Sequence, residues 1–426
     1  MDYWQYLTSL FAPLSQTHKA AIKFLVSTHI FYTCPHFFIY KYLTKPSKPP
    51  HTCKEKINSK MDSIVMMRNS FLFISCFIFF SLGFLKAQKT PAIYVFGDSL
   101  VDVGNNNYLT LSLVKATLPH YGIDFPTKKP TGRFSNGKNA ADLIAEKLGL
   151  ATSPPYLSLV SKINFNKKNV SFLDGVNFAS GGAGIFNGTD ENFRQSIPLT
   201  KQVDYYSQMH EKLTQQTEAS ILQNHLSKSI FAVVIGSNDI FGYFNSKDLQ
   251  KKNTPQQYVD SMASSLKVQL QRLYNNGARK FEIIGVSTIG CCPSLRLKNK
   301  TECFSEANLM SMKYNEVLQS MLKELKLVNK DLSYSYFDTY AALQDLIQNP
   351  KSYGFADVKD ACCGLGELNS QFLCTPISII CSNRQDHIFW DQFHPTEAAT
   401  RTFVDKLYNG PSKYTSPINM EQLLAL

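Results

Sequence analysis

The sequence predicts an α/β fold: a three-layer α/β/α sandwich around a central, mainly parallel five-stranded sheet. From Thr90 onward, short apolar runs alternate with longer stretches of helical periodicity, the pattern expected when crossover helices connect parallel strands. No repeat, low-complexity linker or change of composition interrupts this part of the chain. We therefore expect a single domain over residues 89–426, preceded by an N-terminal extension (1–66) and a signal segment (67–88).

Five short runs of apolar and β-branched residues predict the strands of that sheet. Each is followed by glycine, serine or aspartate, which favour turns. The runs are Ala92–Phe96, Gly175–Ala179, Ile230–Ile235, Phe281–Val286 and Ser333–Phe337.

Three of the helices between the strands can be read from their caps and their periodicity. Thr254 is an N-cap followed by Pro255, and Gln257 completes a capping box for a helix that ends at Gly277. Its apolar residues recur on one face, which we expect to be core: Val259, Met262, Leu266, Leu270 and Leu273. A second helix, over Phe304–Lys326, repeats this pattern with Leu309, Met312, Leu318, Met321, Leu322 and Leu325. The third spans Tyr340–Gln348 and stops at Asn349-Pro350.

The net charge of +11 invites a nucleic-acid interpretation, but most of it lies outside the predicted domain. Residues 1–88 contain 10 Lys and Arg against 3 Asp and Glu, so the rest of the chain carries only +4. It has no basic stripe interleaved with aromatic residues, and we expect no nucleic-acid partner.

A 15-residue apolar run, Phe71–Leu85, follows Arg68 and has the anatomy of a signal peptide. It is shorter than the roughly 20 residues of a membrane-spanning helix, so we expect cleavage and secretion without stable membrane insertion. The alternative is an uncleaved signal anchor that leaves the protein attached to the membrane. The cleavage site stays open between Leu85-Lys86-Ala87 and Ser81-Leu82-Gly83. Residues 1–66 are expected to lie outside the mature protein, since later methionines would make better start sites.

Seven cysteines follow the signal segment, and in a secreted chain they indicate disulfides with one thiol left over. The adjacent Cys-Cys pairs lack the spacing of a zinc site, so no metal is expected. Three N-x-S/T sequons, at Asn169, Asn187 and Asn299, agree with secretion as candidate glycosylation sites.

Ser99 follows the first predicted strand directly, in Gly97-Asp98-Ser99, and open parallel sheets bind ligands at this end of their strands. The alternative is an ordinary turn. A serine nucleophile needs a histidine base oriented by an acid. Of the nine histidines, only His394 stands three residues after an aspartate, Asp391. This spacing lets the carboxylate reach the imidazole locally, although a surface Asp-His pair would look the same.

Two further strand ends could supply donors for an oxyanion. Ser180-Gly181-Gly182-Ala183-Gly184 follows the second strand and offers backbone N–H groups, and Gly236-Ser237-Asn238-Asp239 follows the third and offers an amide side chain. Either loop alone could be only a turn.

The segments FGDSLVDVGNNN, GVNFASGGAGI, VVIGSND and FWDQFHPTE resemble the four signature blocks of the plant GDSL esterase/lipase family, within the SGNH hydrolases. GRFSNG, at 132–137, is also similar to a family segment. The likeness extends from about Thr90 to the C-terminus. The chain has no G-x-S-x-G, which argues against the α/β-hydrolase fold.

The resemblance implies Ser99 as nucleophile, His394 as base and Asp391 as its orienting acid. It implies an oxyanion hole made by the Ser99 N–H, the Gly182 N–H and the Asn238 side chain, with Gly181 as the rival to Gly182. Asp98, Asp102 and Asp239 are then braces of turns and loops. The cysteines that match family positions are Cys291, Cys303, Cys362, Cys363, Cys374 and Cys381, which leaves Cys292 as the extra one.

We therefore expect a secreted esterase or lipase of the apoplast or cell wall that acts on small-molecule or lipid esters without a cofactor. An acyltransferase using the same acyl-enzyme is the first alternative. A catalytically idle cell-wall binding protein is the second, and it predicts a broken set of catalytic residues. The acyl chain, the alcohol and the oligomeric state are not encoded in any motif.

Overall fold

The computed structural model describes residues 90–161, 171–189, 195–299 and 302–426. The predicted N-terminal extension, the signal segment and the Asn169 sequon lie outside these residues.

The strands of the described residues form one large sheet and two small ones. They are β1 (Ile93–Gly97), β2 (Val176–Asn177), β3 (Ile230–Val234), β4 (Lys280–Ile284), β5 (Ser333–Phe337), β6 (Asp357–Ala361), β7 (Cys363–Gly364), β8 (Ile379–Ile380), β9 (His387–Phe389) and β10 (Thr415–Ser416). The central sheet has the order β10-β5-β4-β3-β1-β2, while β6 pairs with β9 and β7 with β8. Every pair in the central sheet is parallel except β10 with β5.

The prediction of a mainly parallel α/β sandwich is confirmed, and each of the five predicted runs overlaps a strand of the central sheet. The second is reduced to Val176–Asn177. The sixth strand, β10, was not predicted, because two residues are too few to leave a periodic signal.

The α-helices of the described residues connect and cover these strands. They are α1 (Ala140–Lys147), α2 (Tyr156–Val160), α3 (Leu199–Gln216), α4 (Ala219–Lys228), α5 (Ser237–Asn245), α6 (Lys247–Lys252), α7 (Pro255–Asn275), α8 (Pro293–Leu297), α9 (Ser305–Val328), α10 (Thr339–Gln348), α11 (Glu397–Asn409) and α12 (Met420–Ala425). Short 3₁₀ helices lie at Asn105–Tyr108, Ile289–Cys291, Pro350–Tyr353 and Glu367–Asn369. None of these helices is both long and apolar enough to span a membrane.

Helix α7 forms as its sequence predicts. The Thr254 side chain accepts a hydrogen bond from the Gln257 N–H, and the Gln257 side chain accepts one from the Thr254 N–H. All five residues of the predicted apolar face are buried. The chain leaves the helix through Gly277, whose φ of +99° favours glycine.

Helix α9 buries four of the six apolar residues predicted for its core face, namely Leu318, Met321, Leu322 and Leu325, but the other two are exposed. Leu309 and Met312 were expected on the core face, but 51% and 38% of their surfaces are exposed. The buried stripe begins instead with Ala307, Met310 and Tyr314, and continues through Leu318. This stripe keeps the spacing of three and four residues. Its first members include a small residue and a tyrosine, so choosing large aliphatic residues alone gave the wrong positions at the start of the helix.

The two faces of the central sheet pack against separate helix layers. In β1, Tyr94 and Phe96 point to one cluster, and Ile93 and Val95 point to the other. The first cluster holds the apolar faces of α3, α4, α7 and α9, and the second holds those of α1, α11 and α12. Phe96 stacks on Phe178 with ring centroids 5.1 Å apart, and truncating a buried aromatic such as Phe96 to alanine typically costs about 3–5 kcal/mol.

Three disulfides cross-link loops between residues 291 and 381. They pair Cys291 with Cys303, Cys362 with Cys381, and Cys363 with Cys374. Cys292 is left as a buried free thiol. The six cysteines that match family positions are therefore all paired, and the extra one is not.

Glu282 is a buried carboxyl group in the middle of β4, away from any basic side chain that pairs with it among the described residues. Its Oε1 lies 3.3 Å from the Ser335 hydroxyl, which donates to it, and its Oε2 has no hydrogen-bond partner. Burial holds the pKa of Glu282 well above its usual value, because the charged form loses its hydration. The folded protein therefore retains a proton here that the unfolded chain releases.

This proton makes stability depend on pH in a defined direction. The folded pKa is raised, so the contribution of Glu282 is fully present below the pKa of the unfolded chain and is lost as pH rises. We expect the free energy of unfolding of Glu282→Gln, measured relative to wild type by urea denaturation, to increase between pH 5 and 8 by up to about 1.4 kcal/mol per pH unit. The exposed Glu211→Gln variant is the control. A difference between Glu282→Gln and wild type that stays constant over this range would contradict the buried neutral acid.

Candidate active site

The turn after β1 holds Ser99 at the C-terminal edge of the central sheet. The Asp98 N–H donates to the Val234 carbonyl at the end of β3, and the Asp98 carbonyl accepts from the N–H groups of Val101 and Asp102. A side chain at Gly97 would have its Cβ 2.3 Å from the Val234 oxygen, so the turn needs glycine there. The serine therefore sits on a fixed backbone.

Ser99, His394 and Asp391 meet in one hydrogen-bonded chain. The Ser99 Oγ lies 2.7 Å from His394 Nε2. His394 Nδ1 lies 2.7 Å from Asp391 Oδ1 and 2.9 Å from Oδ2. The imidazole and the carboxylate are buried, while the serine is partly exposed. This arrangement can pass a proton from the serine hydroxyl to the ring nitrogen.

The Asp391-to-His394 segment is a tight turn held by the carboxylate itself. Asp391 Oδ1 accepts from the N–H groups of Phe393 and His394, at 3.0 and 2.9 Å. Burial raises the pKa of Asp391, but the charge and hydrogen bond of His394 and these two N–H groups outweigh it, leaving the pKa below its usual value. The low pKa keeps Asp391 ionised while it contacts the imidazole.

Tyr121 is a residue of the site that the sequence analysis missed. Its hydroxyl donates to Asp391 Oδ2 at 2.8 Å. Burial and the neighbouring carboxylate hold the pKa of the phenol well above its usual value, so it stays a donor. Its ring packs edge-on against Phe134, whose own ring lies 5.1 Å from the His394 imidazole. Phe134 belongs to the GRFSNG segment, but nothing in the sequence linked Tyr121 to Asp391.

The loop after β2 brings Gly182 to the site and turns Gly181 away from it. The Gly181 N–H donates to Asp102 Oδ2 at 3.0 Å, so it is already engaged. Gly182 has a φ of +83° and lines the crevice beside Ser99. Within the described part of the chain, neither the Ser99 N–H nor the Gly182 N–H has an acceptor. The geometry therefore favours Gly182 over Gly181 as an oxyanion donor.

Asn238 lies in the first turn of α5, directly after β3. Its Nδ2 donates one hydrogen bond to the Ala183 carbonyl, at 2.9 Å, which leaves the second N–H of the amide available. Both Asn238 and Gly182 line the same crevice as Ser99 and His394. Three potential donors and the serine thus share one opening.

Three buried aspartates brace the loops around the site, as the sequence analysis expected. Asp98 accepts from the Leu100 N–H, and Asp102 accepts from the N–H groups of Gly104, Asn105 and Gly181. Asp239 accepts from Ile185, Phe186 and the Thr189 hydroxyl. Burial raises the pKa of Asp98 to about 7 and that of Asp102 to about 6, against the opposing effect of these donors. None of the three contacts the His394 ring by a hydrogen bond in the described residues.

The asparagines after the first strand also position the glycine loop, a role that the sequence did not reveal. Asn105 Nδ2 donates to the carbonyls of Asn177 and Ala179, at 2.9 and 2.8 Å. Asn106 Nδ2 donates to the Gly181 carbonyl at 2.9 Å. These bonds are buried and bridge more than 70 residues of sequence.

A second Asp-His pair lies outside the site. His387 Nδ1 is 2.7 Å from Asp386 Oδ1, and no serine hydroxyl is bonded to its ring among the described residues. This pair lacks the three-residue spacing of Asp391 and His394, because Asp386 directly precedes His387. The remaining described histidines lie elsewhere, with His120 Nε2 3.2 Å from the Pro376 carbonyl.

Ser99 opens into a crevice of about 1290 Å³. Its lining near the turn and the His394 loop is largely apolar and includes Leu113, Leu118, Phe134, Leu373 and Phe393. In the described ranges, no group of three or more His, Cys, Asp or Glu is arranged to hold a metal ion. The crevice is large enough for a substrate with a hydrocarbon portion.

Two of the three sequon asparagines, Asn187 and Asn299, fall within the described residues. Asn187 is exposed and lines the crevice. The Asn299 side chain is half-buried, and its Nδ2 donates to the Cys303 carbonyl at 2.9 Å. Of the two, Asn187 is the more accessible to modification.

The chain is similar to proteins of one family. Residues 93–407 match a family model described as GDSL-like Lipase/Acylhydrolase. A GDSL esterase/lipase of Arabidopsis thaliana is 54% identical over 344 residues, which cover 80% of this chain and 91% of the relative. A second GDSL esterase/lipase of Arabidopsis thaliana is 39% identical, and the alignment covers 84% of this chain and 99% of the relative. A third is 37% identical, with 76% of this chain and 90% of the relative aligned.

The Tyr121 contact can be tested by Tyr121→Phe, which keeps the ring and removes the donor to Asp391. A hydrogen bond to a charged group contributes about 1.5–3 kcal/mol, of which only part reaches the serine, so we expect the rate of Ser99 labelling by a fluorophosphonate to fall about three- to tenfold.

Tyr353→Phe is the matched control, because Tyr353 also donates to an aspartate, Asp345, but lies outside the crevice lining. Its labelling rate should equal that of wild type. Equal rates for Tyr121→Phe and wild type, with unchanged thermal midpoints, would show that the phenol does not act on the site.

Proposed function

The chain belongs to the GDSL-like lipase/acylhydrolase family and is a carboxylic ester hydrolase, and we propose that Ser99, His394 and Asp391 perform the hydrolysis. The observation that carries the proposal is the continuous hydrogen-bonded chain from the Ser99 hydroxyl through the imidazole to a buried, ionised Asp391. A serine and a histidine paired in this way form the general arrangement of an activated nucleophile.

The first half of the reaction acylates the serine. Ser99 Oγ attacks the ester carbonyl carbon while His394 Nε2 takes the hydroxyl proton. The tetrahedral intermediate collapses when His394 returns that proton to the alcohol oxygen, and the C–O bond to the alcohol breaks. Asp391 stays ionised throughout and stabilises the imidazolium.

The second half releases the acid. A water molecule gives a proton to His394 and attacks the acyl carbon, and His394 then protonates Ser99 Oγ as the acid departs. An alcohol in place of that water would yield a new ester instead, which is the acyltransferase alternative. The same Ser99 acyl-enzyme serves both outcomes, and the products identify which acceptor is used.

The oxyanion of each intermediate would be bound by the Ser99 N–H, the Gly182 N–H and the second N–H of the Asn238 amide. Support comes from the two unengaged backbone donors and from the bond that fixes the Asn238 side chain to Ala183. One such donor typically stabilises the transition state by about 3–4 kcal/mol.

We propose that the protein is secreted, with residues 67–88 as the signal and Asn187 glycosylated. The three disulfides support an oxidising compartment. Asn187 is the exposed asparagine of a sequon, and the hydroxyl of Thr189 in the same sequon donates to Asp239 Oδ1. Substrates are small-molecule or lipid esters that fit the apolar crevice.

Ser99→Ala tests the nucleophile. In the full chain expressed in a secretory host, we expect turnover of p-nitrophenyl butyrate to fall by about 10⁴-fold or more, together with complete loss of fluorophosphonate labelling. Ser220→Ala, at an exposed serine of α4, should match wild type.

Three other outcomes would redirect the assignment. Residual activity in Ser99→Ala above this level would assign the nucleophile elsewhere. Wild-type protein that is labelled but does not hydrolyse would favour the acyltransferase. A folded wild type that is neither labelled nor active would favour the binding protein.

Asn238→Ala tests the oxyanion hole. If its amide contacts the oxyanion only in the transition state, kcat should fall about 10²- to 10³-fold while KM changes little. Asn224→Ala, at an exposed asparagine of α4, is the control. A fall confined to KM, or a matching loss of thermal stability without a kinetic effect, would instead assign Asn238 to substrate binding or to the loop structure.

A further inference from the structure

Two loops beside the crevice expose a set of large apolar side chains, here called the apolar rim. Each of its six members has at least 62% of its surface exposed. They are Leu111, Leu113, Phe372, Leu373, Ile377 and Ile379. Single exposed apolar residues are ordinary on a protein surface, but a cluster of this kind marks an interaction site.

The two loops of the apolar rim lie together at the opening to Ser99. His120 Nε2, at the end of the first loop, is 3.2 Å from the Pro376 carbonyl in the second. One rim residue from each loop, Leu113 and Leu373, lines the crevice that contains Ser99. The rim is therefore continuous with the entrance to the proposed catalytic site.

The structure holds these side chains outward. The Cys363–Cys374 disulfide anchors the second loop, and within it the Thr375 N–H donates to Ser378 Oγ, which donates to the Leu373 carbonyl. At the end of the first loop, Tyr121 packs against the cluster formed by Trp390 and the disulfides. These contacts brace the loops while the rim side chains stay exposed.

The charges around the rim restrict what can cover it. Residues 108–123 and 370–381 contain no aspartate or glutamate, and Lys115 is their one lysine or arginine. Such a surface offers a peptide few charged or hydrogen-bonding partners, and no acidic side chain in these two stretches would repel anionic headgroups. An occupant of the rim also covers the entrance to Ser99, so catalysis could continue only if that occupant supplied the substrate.

We propose that the apolar rim docks on a lipid surface, from which an ester substrate enters the crevice directly. The proposal rests on the proposed function for its substrate, but docking itself does not require turnover. The rim side chains insert among the acyl chains at the level of the headgroups, as in proteins that bind membranes peripherally. Lys115 lies next to anionic headgroups in this orientation.

The test measures binding of the Ser99→Ala protein to vesicles of phosphatidylcholine mixed with phosphatidylglycerol. The rim variant is Leu111→Ser/Ile377→Ser/Ile379→Ser, which leaves the crevice lining intact. The control is Ile221→Ser/Val268→Ser/Leu327→Ser, at apolar residues with 56% to 66% of their surfaces exposed outside the two loops.

We expect the rim variant to lower the vesicle partition coefficient at least about tenfold, and the control to leave it unchanged. Binding of the Ser99→Ala protein should also persist at high salt, because the contact is mainly apolar. In the Ser99 background, the rim variant should hydrolyse soluble p-nitrophenyl butyrate as wild type does but lose activity on p-nitrophenyl palmitate, whose long acyl chain keeps it in the vesicles.

Equal vesicle binding by the rim variant and its parent would overturn the proposal, as would the absence of binding by the parent. Monomerisation of a dimer by the rim variant, measured by analytical ultracentrifugation, would assign the rim to self-association. Vesicle binding by a wild-type protein that lacks esterase activity would retain the docking surface and overturn only the proposed function.

Discussion

The hydrogen bond between Ser99 Oγ and His394 Nε2 joins positions 295 residues apart, and the site depends on it. The parallel sheet positions Ser99, because it aligns the ends of its strands and so brings the turn after β1 next to the loops after β2 and β3. His394 is positioned by its own loop, which lies outside the central sheet. That loop follows Trp390, which is fully buried against Cys362, Cys363 and Cys374. The cysteines of two disulfides therefore pack beside the segment that carries His394.

The polar groups beneath the site show how burial is balanced against hydrogen bonding. Asp102 and Asp239 lose their hydration but accept backbone N–H groups from loops that would otherwise have unpaired donors. Asp391 is also buried away from water, yet its pKa is lowered because an imidazole and two N–H groups surround it. Glu282 has one hydroxyl partner and no cation, and its pKa is raised instead. The same desolvation therefore gives an orienting anion at the site and a neutral acid in the core.

The surface near the site combines a polar reaction centre with apolar surroundings. The donors and the Ser99 hydroxyl lie in the crevice, whereas the loops at its entrance carry aliphatic side chains and a single lysine. An ester has a polar carbonyl between groups that can be apolar, and this arrangement matches both parts. Asn187, the exposed sequon asparagine, also lines this crevice. The loops at the entrance are thus the part that bears on which esters fit the crevice.

The sequence by itself determined the fold class, the five parallel strands and the capped helix α7, since each rests on local periodicity or on a cap within a few residues. It also pointed to Ser99, His394, Asp391, the glycine loop 180–184 and Asn238, because motifs at strand ends and a three-residue Asp-His spacing are local signals. Within that loop the family resemblance implied Gly182 with Gly181 as its rival, and the tertiary structure favours Gly182 because Asp102 engages the Gly181 N–H. The start of the buried face of α9, the short strand β10, the Tyr121–Asp391 bond and the apolar rim were decided only by the tertiary structure. Each of these depends on contacts between residues far apart in the chain, and no periodicity or spacing along a sequence records which distant groups will meet.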